Sequence, residues 1–149
     1  MIRVQEQPFD VGAELAALTA GRTDIGAVAS FVGLVRDMAG EPITAMTLEH
    51  YPGMTESKLA DIEAEANARW PLRASLIVHR YGRMLPGEPI VLVATASSHR
   101  AAALEACAFL IDWLKTRAPF WKLEETPAAS RWVEARRTDD EAADRWQQP

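Results

Sequence analysis

The stretch KTRAPFWKLE (115–124) places basic side chains around a Pro-Phe-Trp wedge in a chain whose net charge is −5. Lys115 and Lys122 lie on either side of Pro119, where a helix must break and the chain can turn back. Two neighbouring ammonium groups lower each other's proton affinity, as does desolvation beside the aromatic pair. Lysine, unlike arginine, can then both donate and accept a proton. The pattern indicates an anion pocket with Lys115 and Lys122 as catalytic candidates.

A structural interpretation of the same stretch remains open. A lysine in the last turn of a helix interacts favourably with the helix dipole, and its long stem can carry the charge out to water. The aromatic pair could then simply fill the core beneath a solvated connection. Under this interpretation the stretch has no chemistry of its own.

The tetrapeptide SSHR (97–100) forms a second basic cluster, where an apolar strand pattern runs into a long helix pattern. Free backbone N–H groups at a helix start favour an anion, and His99 and Arg100 would add charge and hydrogen bonds. Alternatively, one of the serines caps the helix and both basic residues are exposed. Arg36, which ends the apolar segment FVGLVR, could bind a phosphate or mark the surface.

The other histidines and the cysteine indicate no further chemistry. His79 alternates with apolar neighbours in SLIVHRY, which is typical of a structural histidine in a strand. His50 closes LEHY and with Glu49 could form part of a site, although a polar pair at a strand end is the favoured interpretation. The three histidines lack metal-ligand spacing, so the sequence predicts no metal site and no cofactor. Cys107 has no histidine or cation one helical turn away, which is typical of a small buried hydrophobe.

Length and composition limit the class of protein. The chain has 149 residues, of which 48% are hydrophobic and 25% charged, with a sequence pI near 5.2. One compact domain over 1–149 is the expectation. The acidic balance argues against nucleic acid or an anionic membrane as the main partner. A start without a signal-peptide core and a single cysteine predict a cytoplasmic protein without disulfides.

Periodicity predicts an α+β domain, because the strands come in pairs with helices between them and without regular βαβ alternation. The segment GAVASFVGLVR (26–36) contains two glycines, which indicate a bulge or bend in its strand, and Thr55 is the expected N-cap of the second helix. Short strands and a last helix follow Pro119. The main expected elements are strands over 2–5, 26–36, 43–51, 75–82 and 90–97 and helices over 10–18, 55–70 and 98–116.

On a helical wheel of the segment 98–116, Leu104, Ala108 and Ile111 form one stripe. Lys115 falls near the middle of that stripe and Arg100 close to its edge at the other end. The expectation is an inward-facing stripe with a cation at each end.

With these residues in place, the chain resembles the MoaE-type family, the large catalytic subunits of molybdopterin synthase. The resemblance spans nearly the whole chain and includes two specific strings, LEHYPGM and KTRAPFWK. The matching blocks, in the family's order, are QPFDVG, Phe31–Arg36, TLEHYPGMTE, HRYG followed by PGE, SSHR, LKTRAPFWK and RWVEAR.

The resemblance implies a reaction, a partner and an assembly. The family converts a cyclic pyranopterin monophosphate into molybdopterin by inserting two sulfurs that become a dithiolene. The sulfur arrives as a thiocarboxylate on the C-terminal Gly-Gly tail of a small ubiquitin-like subunit. Two large subunits form a central homodimer within a heterotetramer, and the fold is an α/β hammerhead arrangement.

The resemblance also implies roles for individual residues. Lys115 and Lys122 correspond to the two active-site lysines, with Lys115 favoured for proton transfer or a covalent intermediate. Leu34 stands where several relatives have a basic residue, so it could touch substrate only through apolar or backbone contact. The substrate-binding positions implied by the match are Leu34, Val35, Arg36, His99, Arg100, Lys115, Lys122, Leu123 and Glu124.

Two other functions stay open from the residues themselves. A non-catalytic module could bind a phosphorylated metabolite in the same basic pocket, in which case loss of Lys122 weakens binding and nothing else. An adaptor subunit could dock a partner through Phe120 and Trp121, in which case partner binding survives loss of every lysine. Lysines in the pocket, rather than arginines alone, favour catalysis.

Overall fold

The computed structural model describes residues 1–37, 42–133 and 137–147, and within them the predicted α+β class is confirmed. None of the described helices is long and apolar enough to cross a membrane. The elements in chain order are β1 Ile2–Gln5, α1 Val11–Thr19, β2 Ala27–Leu34, β3 Ala45–His50, α2 Met54–Arg69, β4 Leu72–Arg80, β5 Gly82–Met84, β6 Pro89–Ser97, α3 Arg100–Arg117, β7 Phe120–Glu125, β8 Ser130–Val133 and α4 Arg137–Asp144.

The first sheet has the strand order β1-β4-β6-β2 and is covered on both faces. Strand β1 runs parallel to β4, and the other pairs are antiparallel. Because side chains alternate along a strand, Ile77 of β4 packs in the core with α2 and α3, while Leu76 and Val78 pack with α1 on the opposite face. Both faces are therefore apolar, which explains the continuous hydrophobic runs in β4 and β6.

The second sheet has the order β5-β3-β7-β8 and is antiparallel throughout. It carries a separate, smaller core of Met46, Leu48 and Met84, together with Val35 and Ile43 from the chain between β2 and β3. Of the short strands expected after Pro119, RWVEA (131–135) is observed as β8, and its last two residues, 134 and 135, lie outside the described part. The sheet holds β7 over the end of β2, which is where the candidate site forms.

The predicted irregularity in β2 is confirmed, since the register with β6 shifts between Gly33 and Leu34. A Cβ on Gly33 would lie 2.8 Å from Cγ1 of Val91, so the close approach of the two strands requires a glycine there. The shift ends the pairing and directs the following residues away from the first sheet.

The start of α2 differs from the prediction. Gly53, not Thr55, is the N-cap, and the Glu56 carboxylate accepts a hydrogen bond from the Gly53 N–H at 2.6 Å. Thr55 is fully buried in the helix instead. Its hydroxyl accepts from the Tyr51 N–H and donates to the Pro119 carbonyl at 3.3 Å, so it fastens α2 to the segment between α3 and β7.

The inward face of α3 also differs from the predicted stripe. Leu104 is 60% exposed, and Ala108 and Ile111 are only partly buried. The helix is apolar around most of its circumference, so contact with α2 and the first sheet decides which side is covered. Burial of a large apolar side chain there contributes about 1.5–3 kcal/mol. The buried residues are Ala103, Ala106, Cys107, Phe109, Leu110, Trp113 and Leu114.

Candidate active site

A cavity of about 280 Å³ lies between the end of β2, the end of α3 and the inner face of the second sheet. It has apolar walls and a small number of charged groups, which is the usual character of a small-molecule site. Its lining residues are Gly33, Leu34, Val35, Arg36, Ile43, Met46, Leu48, His79, Ile90, Val91, Leu114, Lys115, Ala118, Phe120, Lys122, Glu124, Val133 and Asp139.

The last turn of α3 supplies Lys115. The helix closes with the Ala118 N–H donating to the Leu114 carbonyl at 3.3 Å, and Pro119 prevents a further turn. Lys115 is solvent-exposed on the helix yet lines the cavity, whereas its neighbour Leu114 is buried beneath it. The ammonium group therefore sits at the mouth of the cavity on an apolar support.

Strand β7 presents alternate residues to the cavity. Phe120, Lys122 and Glu124 face inward, beside their β3 neighbours, because the register pairs Lys122 with Leu48 and Glu124 with Met46. Trp121 and Leu123 point to the other face of the sheet. The break at Pro119 thus brings Lys122 to the same cavity as Lys115, as the sequence predicted.

The segment after β2 supplies Arg36. The Val35 N–H donates to the Glu88 carbonyl at 3.0 Å, and the Val35 carbonyl accepts from the Gly87 N–H at 2.6 Å. The Val35 side chain is 3% exposed, whereas Leu34 and Arg36 on either side of it are exposed. The two backbone bonds fix the turn that brings the guanidinium of Arg36 to the cavity.

His79 lines the inner wall of the cavity and is buried. Its ring stacks on Phe120 with the centroids 3.7 Å apart and an interplanar angle of 14°. Burial lowers the pKa of His79 to about 3, and the charges of Lys115 and Lys122 act in the same direction, against a hydrogen bond to the Arg80 carbonyl. The imidazole is therefore neutral at physiological pH.

The charges of the cavity favour an anionic ligand. Arg36, Lys115 and Lys122 bring three cations to it, against the carboxylates of Glu124 and Asp139. Glu124 also accepts a hydrogen bond from Arg131 at 3.4 Å, which offsets part of its charge. In an acidic chain this local excess of positive charge is the feature expected for phosphate binding.

Three of the site residues expected from the sequence do not line this cavity. Leu123 lies on the opposite face of β7, and His99 and Arg100 lie at the far end of α3. Fifteen residues of helix separate Arg100 from Lys115, which is about 22 Å. Neither serine caps α3: His99 is the N-cap residue, Ser97 donates to the Pro71 carbonyl and Ser98 to the Asp24 carbonyl.

Two titratable lining residues, His79 and Asp139, were not among the site residues predicted from the sequence. The sequence predicts a structural His79, because nothing in SLIVHRY distinguishes a histidine facing the core from one facing a cavity. Asp139 lies in the first turn of α4, where acidic residues are common for reasons of helix electrostatics alone. Among the described residues, no group of three or more histidine, cysteine or acidic side chains is placed to hold a metal ion.

Comparison with known proteins decides the family. The family model described as MoaE protein matches residues 4–117, which include Arg36, His99, Arg100 and Lys115. The chain belongs to the MoaE family. The resemblance drawn from its motifs is thereby confirmed.

Relatives of this MoaE family member extend the match over the whole chain. The molybdopterin synthase catalytic subunit of Pseudomonas aeruginosa is 57% identical over 148 residues, covering 99% of each chain. The solved MoaE protein of Burkholderia ambifaria is 55% identical with a TM-score of 0.86, covering 100% of this chain and 99% of that one. Molybdopterin synthase of Staphylococcus aureus is 32% identical with a TM-score of 0.82, covering 89% and 96%. Catalytic subunits among such close relatives confirm the prediction of an enzyme.

Proposed function

We propose that this protein is the catalytic subunit of a molybdopterin synthase and acts in molybdenum cofactor biosynthesis. The observation that carries the proposal is the meeting of Arg36, Lys115 and Lys122 in one cavity. Arg36 comes from the segment after β2, Lys115 from α3 and Lys122 from β7, and the resemblance of the family motifs supports a synthase site at these three positions. Curated relatives with the name molybdopterin synthase catalytic subunit support it.

The substrate is a cyclic pyranopterin monophosphate. Its phosphate suits the guanidinium of Arg36 and the two ammonium groups, since charge-assisted hydrogen bonds to phosphate are strong. Its ring system suits the apolar walls formed by Met46, Leu48 and Phe120. Leu34 and Val35 contribute apolar and backbone contacts beside Arg36, and Glu124 is an acceptor beside Lys122.

The sulfur donor is the C-terminal thiocarboxylate of a small ubiquitin-like subunit. Its sulfur is already a nucleophile, so the enzyme needs no cysteine; Cys107 is buried, and burial raises the pKa of its thiol to about 11. The thiocarboxylate sulfur bonds to a carbon of the substrate as a carbon–oxygen bond breaks and the oxygen leaves with a proton from the enzyme. Water then cleaves the acyl–sulfur bond, which leaves the sulfur on the substrate and releases the carrier as a carboxylate. Two such transfers give the dithiolene.

Lysines suit the proton transfers in this scheme. Lys115 lies at the mouth of the cavity, where the tail of a partner would enter, and Lys122 lies on the β7 wall. Either can give a proton to a leaving oxygen and stabilise negative charge on the intermediate. We assign Lys115 the main proton transfer or the covalent intermediate.

His99 and Arg100 bind the same substrate from a second copy of the chain. Within one chain they lie about 22 Å along α3 from Lys115, so they cannot reach the cavity that Lys115 lines. A homodimer, with one small subunit for each large one, completes two sites in a heterotetramer. The location remains the cytoplasmic one that the sequence predicts.

A reconstituted turnover assay tests the proposal. The purified protein is mixed with thiocarboxylated small subunit and the cyclic pterin, and dithiolene product is quantified for wild type, Lys115→Ala and Lys122→Ala. We expect product from wild type and its loss in a folded Lys115→Ala protein. Binding of the pterin without product would instead support a non-catalytic binding module, and partner binding alone would support an adaptor.

A further inference from the structure

The ring of His79 is held in one orientation at the inner wall of the cavity. The side chain is on the same face of β4 as Ile77, beneath α3, and it is 5% exposed. Stacking on Phe120 fixes the plane of the ring between the first and second sheets. Because burial and stacking hold the ring in place, it is a preformed part of the cavity wall.

The hydrogen bond of the ring fixes its tautomer. Nδ1 lies 2.8 Å from the carbonyl oxygen of Arg80. A carbonyl oxygen only accepts, so Nδ1 carries the hydrogen, and Nε2 of the neutral ring keeps a lone pair. No second hydrogen bond of this ring is found among the residues that the structure describes. The cavity therefore contains a neutral acceptor that is committed to no protein donor.

This acceptor differs from the other polar groups in the cavity. Arg36, Lys115 and Lys122 are cationic donors, whereas Glu124 and Asp139 are charged acceptors. The lone pair of Nε2 would repel a phosphate oxygen. A neutral N–H or O–H group has the complementary polarity, and in an apolar pocket a missing partner for such a group is costly.

We propose that His79 is a specificity residue whose Nε2 accepts a hydrogen bond from an N–H or O–H group of the pterin ring system, while the phosphate faces Arg36 and the lysines. This inference rests on the proposed function. The two ends of the ligand thereby meet groups of opposite polarity, which fixes its direction in the cavity. Because burial keeps the pKa of the imidazole near 3, His79 orients the ligand and does not serve as the proton carrier.

Equilibrium binding separates the ring contact from the phosphate contact. The ligands are neopterin monophosphate, neopterin and inorganic phosphate, and the variants are His79→Phe, His79→Gln and His50→Phe. Phenylalanine keeps the stacking on Phe120 without an acceptor, whereas glutamine can place an amide oxygen near the position of Nε2. His50 is the matched control, because its ring packs on Tyr81 at 4.3 Å but does not line the cavity.

We expect His79→Phe to bind both pterins about tenfold more weakly, as for the loss of one hydrogen bond, with unchanged affinity for inorganic phosphate. His79→Gln should recover most of the affinity, and His50→Phe should match wild type. Equal pterin affinity in wild type and His79→Phe would overturn the inference, as would equal losses in the Phe and Gln variants. A wild-type protein that binds neopterin monophosphate no better than inorganic phosphate would also overturn the inference. The proposed function fails by a different result, the absence of turnover of the cyclic pyranopterin monophosphate.

A measurement on the wild-type protein keeps the inference testable if the variants fold poorly. The chain has three histidines, so the nitrogen NMR spectrum of ring-labelled protein is simple to assign. We expect the Nε2 resonance of His79 to shift in the direction of hydrogen-bond formation when neopterin is added, and to stay in place with inorganic phosphate. An Nε2 resonance unmoved by saturating neopterin would contradict the proposal.

Discussion

At the scale of single residues, the distribution of lysines is informative. The chain has three lysines, and two of them, Lys115 and Lys122, line the same cavity. Lys58 is exposed on α2, away from it. The thirteen arginines of the chain carry most of the surface ion pairs, so lysine is not the default cation of this protein. Its concentration at the cavity fits chemistry in which a cation must also release a proton.

Replacement of Lys115 by arginine tests that distinction. Lys115→Arg keeps the positive charge but cannot transfer a proton, so turnover should fall by roughly 10²–10⁴-fold. The melting temperature should stay near that of wild type, because the side chain is exposed. Lys58→Arg is the control and should retain full turnover. An active Lys115→Arg enzyme would mean that only the charge is needed.

The neutral His79 predicts a pH dependence of folding stability. Its pKa is about 3 in the folded protein, against about 6.5 in the unfolded chain. At a pH between these two values only the unfolded chain binds the proton. The contribution of neutral His79 to the free energy of unfolding is therefore complete above about pH 6.5 and is lost as the pH falls, at up to about 1.4 kcal/mol per pH unit.

Denaturant unfolding of wild type and His79→Gln isolates the effect, since all other titrating groups are common to both. Between about pH 7 and about pH 5 the wild type should lose about 2 kcal/mol more than the variant in its free energy of unfolding. A constant difference between the two proteins across this range would show that the ring is not buried as a neutral group.

At the scale of elements, the site depends on the junction between α3 and β7. The helix ends at Arg117, β7 begins at Phe120, and the Thr55 hydroxyl of α2 donates a hydrogen bond to the carbonyl of Pro119 between them. The two lysines are thus placed by one break in the chain and by one buried hydroxyl. A residue in a different helix therefore contributes to the geometry of the site.

Replacement of Thr55 by valine should show this coupling. The shape is preserved, but the Tyr51 N–H and the Pro119 carbonyl lose their hydroxyl partner, so the free energy of unfolding should fall by about 1–3 kcal/mol. Turnover should also fall, because β7 is no longer fixed to α2. Thr116→Val is the matched control, since that hydroxyl bonds only to carbonyls of its own helix. Similar losses in both variants would remove the special role of Thr55.

The sequence allowed prediction of the secondary-structure elements and of the positions of several side chains. It did not allow prediction of features that depend on tertiary packing. The irregularity in β2 and the meeting of Lys115 with Lys122 followed from local chemistry. The covered face of α3 could not be deduced, because its apolar residues surround most of the helix and Leu104 lies on the open side.

At the scale of the whole molecule, the two basic clusters found in the sequence are separated by most of α3. His99 and Arg100 lie at its N-terminus and Lys115 in its last turn. A rigid helix cannot bring them together within one chain. If both clusters act on one substrate, each complete site contains residues from two copies of the chain. Two inactive variants can then complement each other in a heterodimer.

Complementation between Lys115→Ala and Arg100→Ala measures this arrangement. Each homodimer lacks a needed residue in both sites, so each should be nearly inactive. In a heterodimer purified through two different tags, one site lacks both residues and the other is intact, so roughly half of the wild-type activity should return.

A heterodimer of Lys115→Ala with Arg36→Ala is the control, because both residues line the cavity of a single chain. Each of its two sites lacks one residue, so mixing should restore nothing. Activity in the Lys115–Arg100 pair and its absence in the control would place the two basic clusters in the same site across a dimer. Inactivity of both heterodimers, with Arg100→Ala folded and dimeric, would mean instead that Arg100 acts from its own chain and away from the cavity.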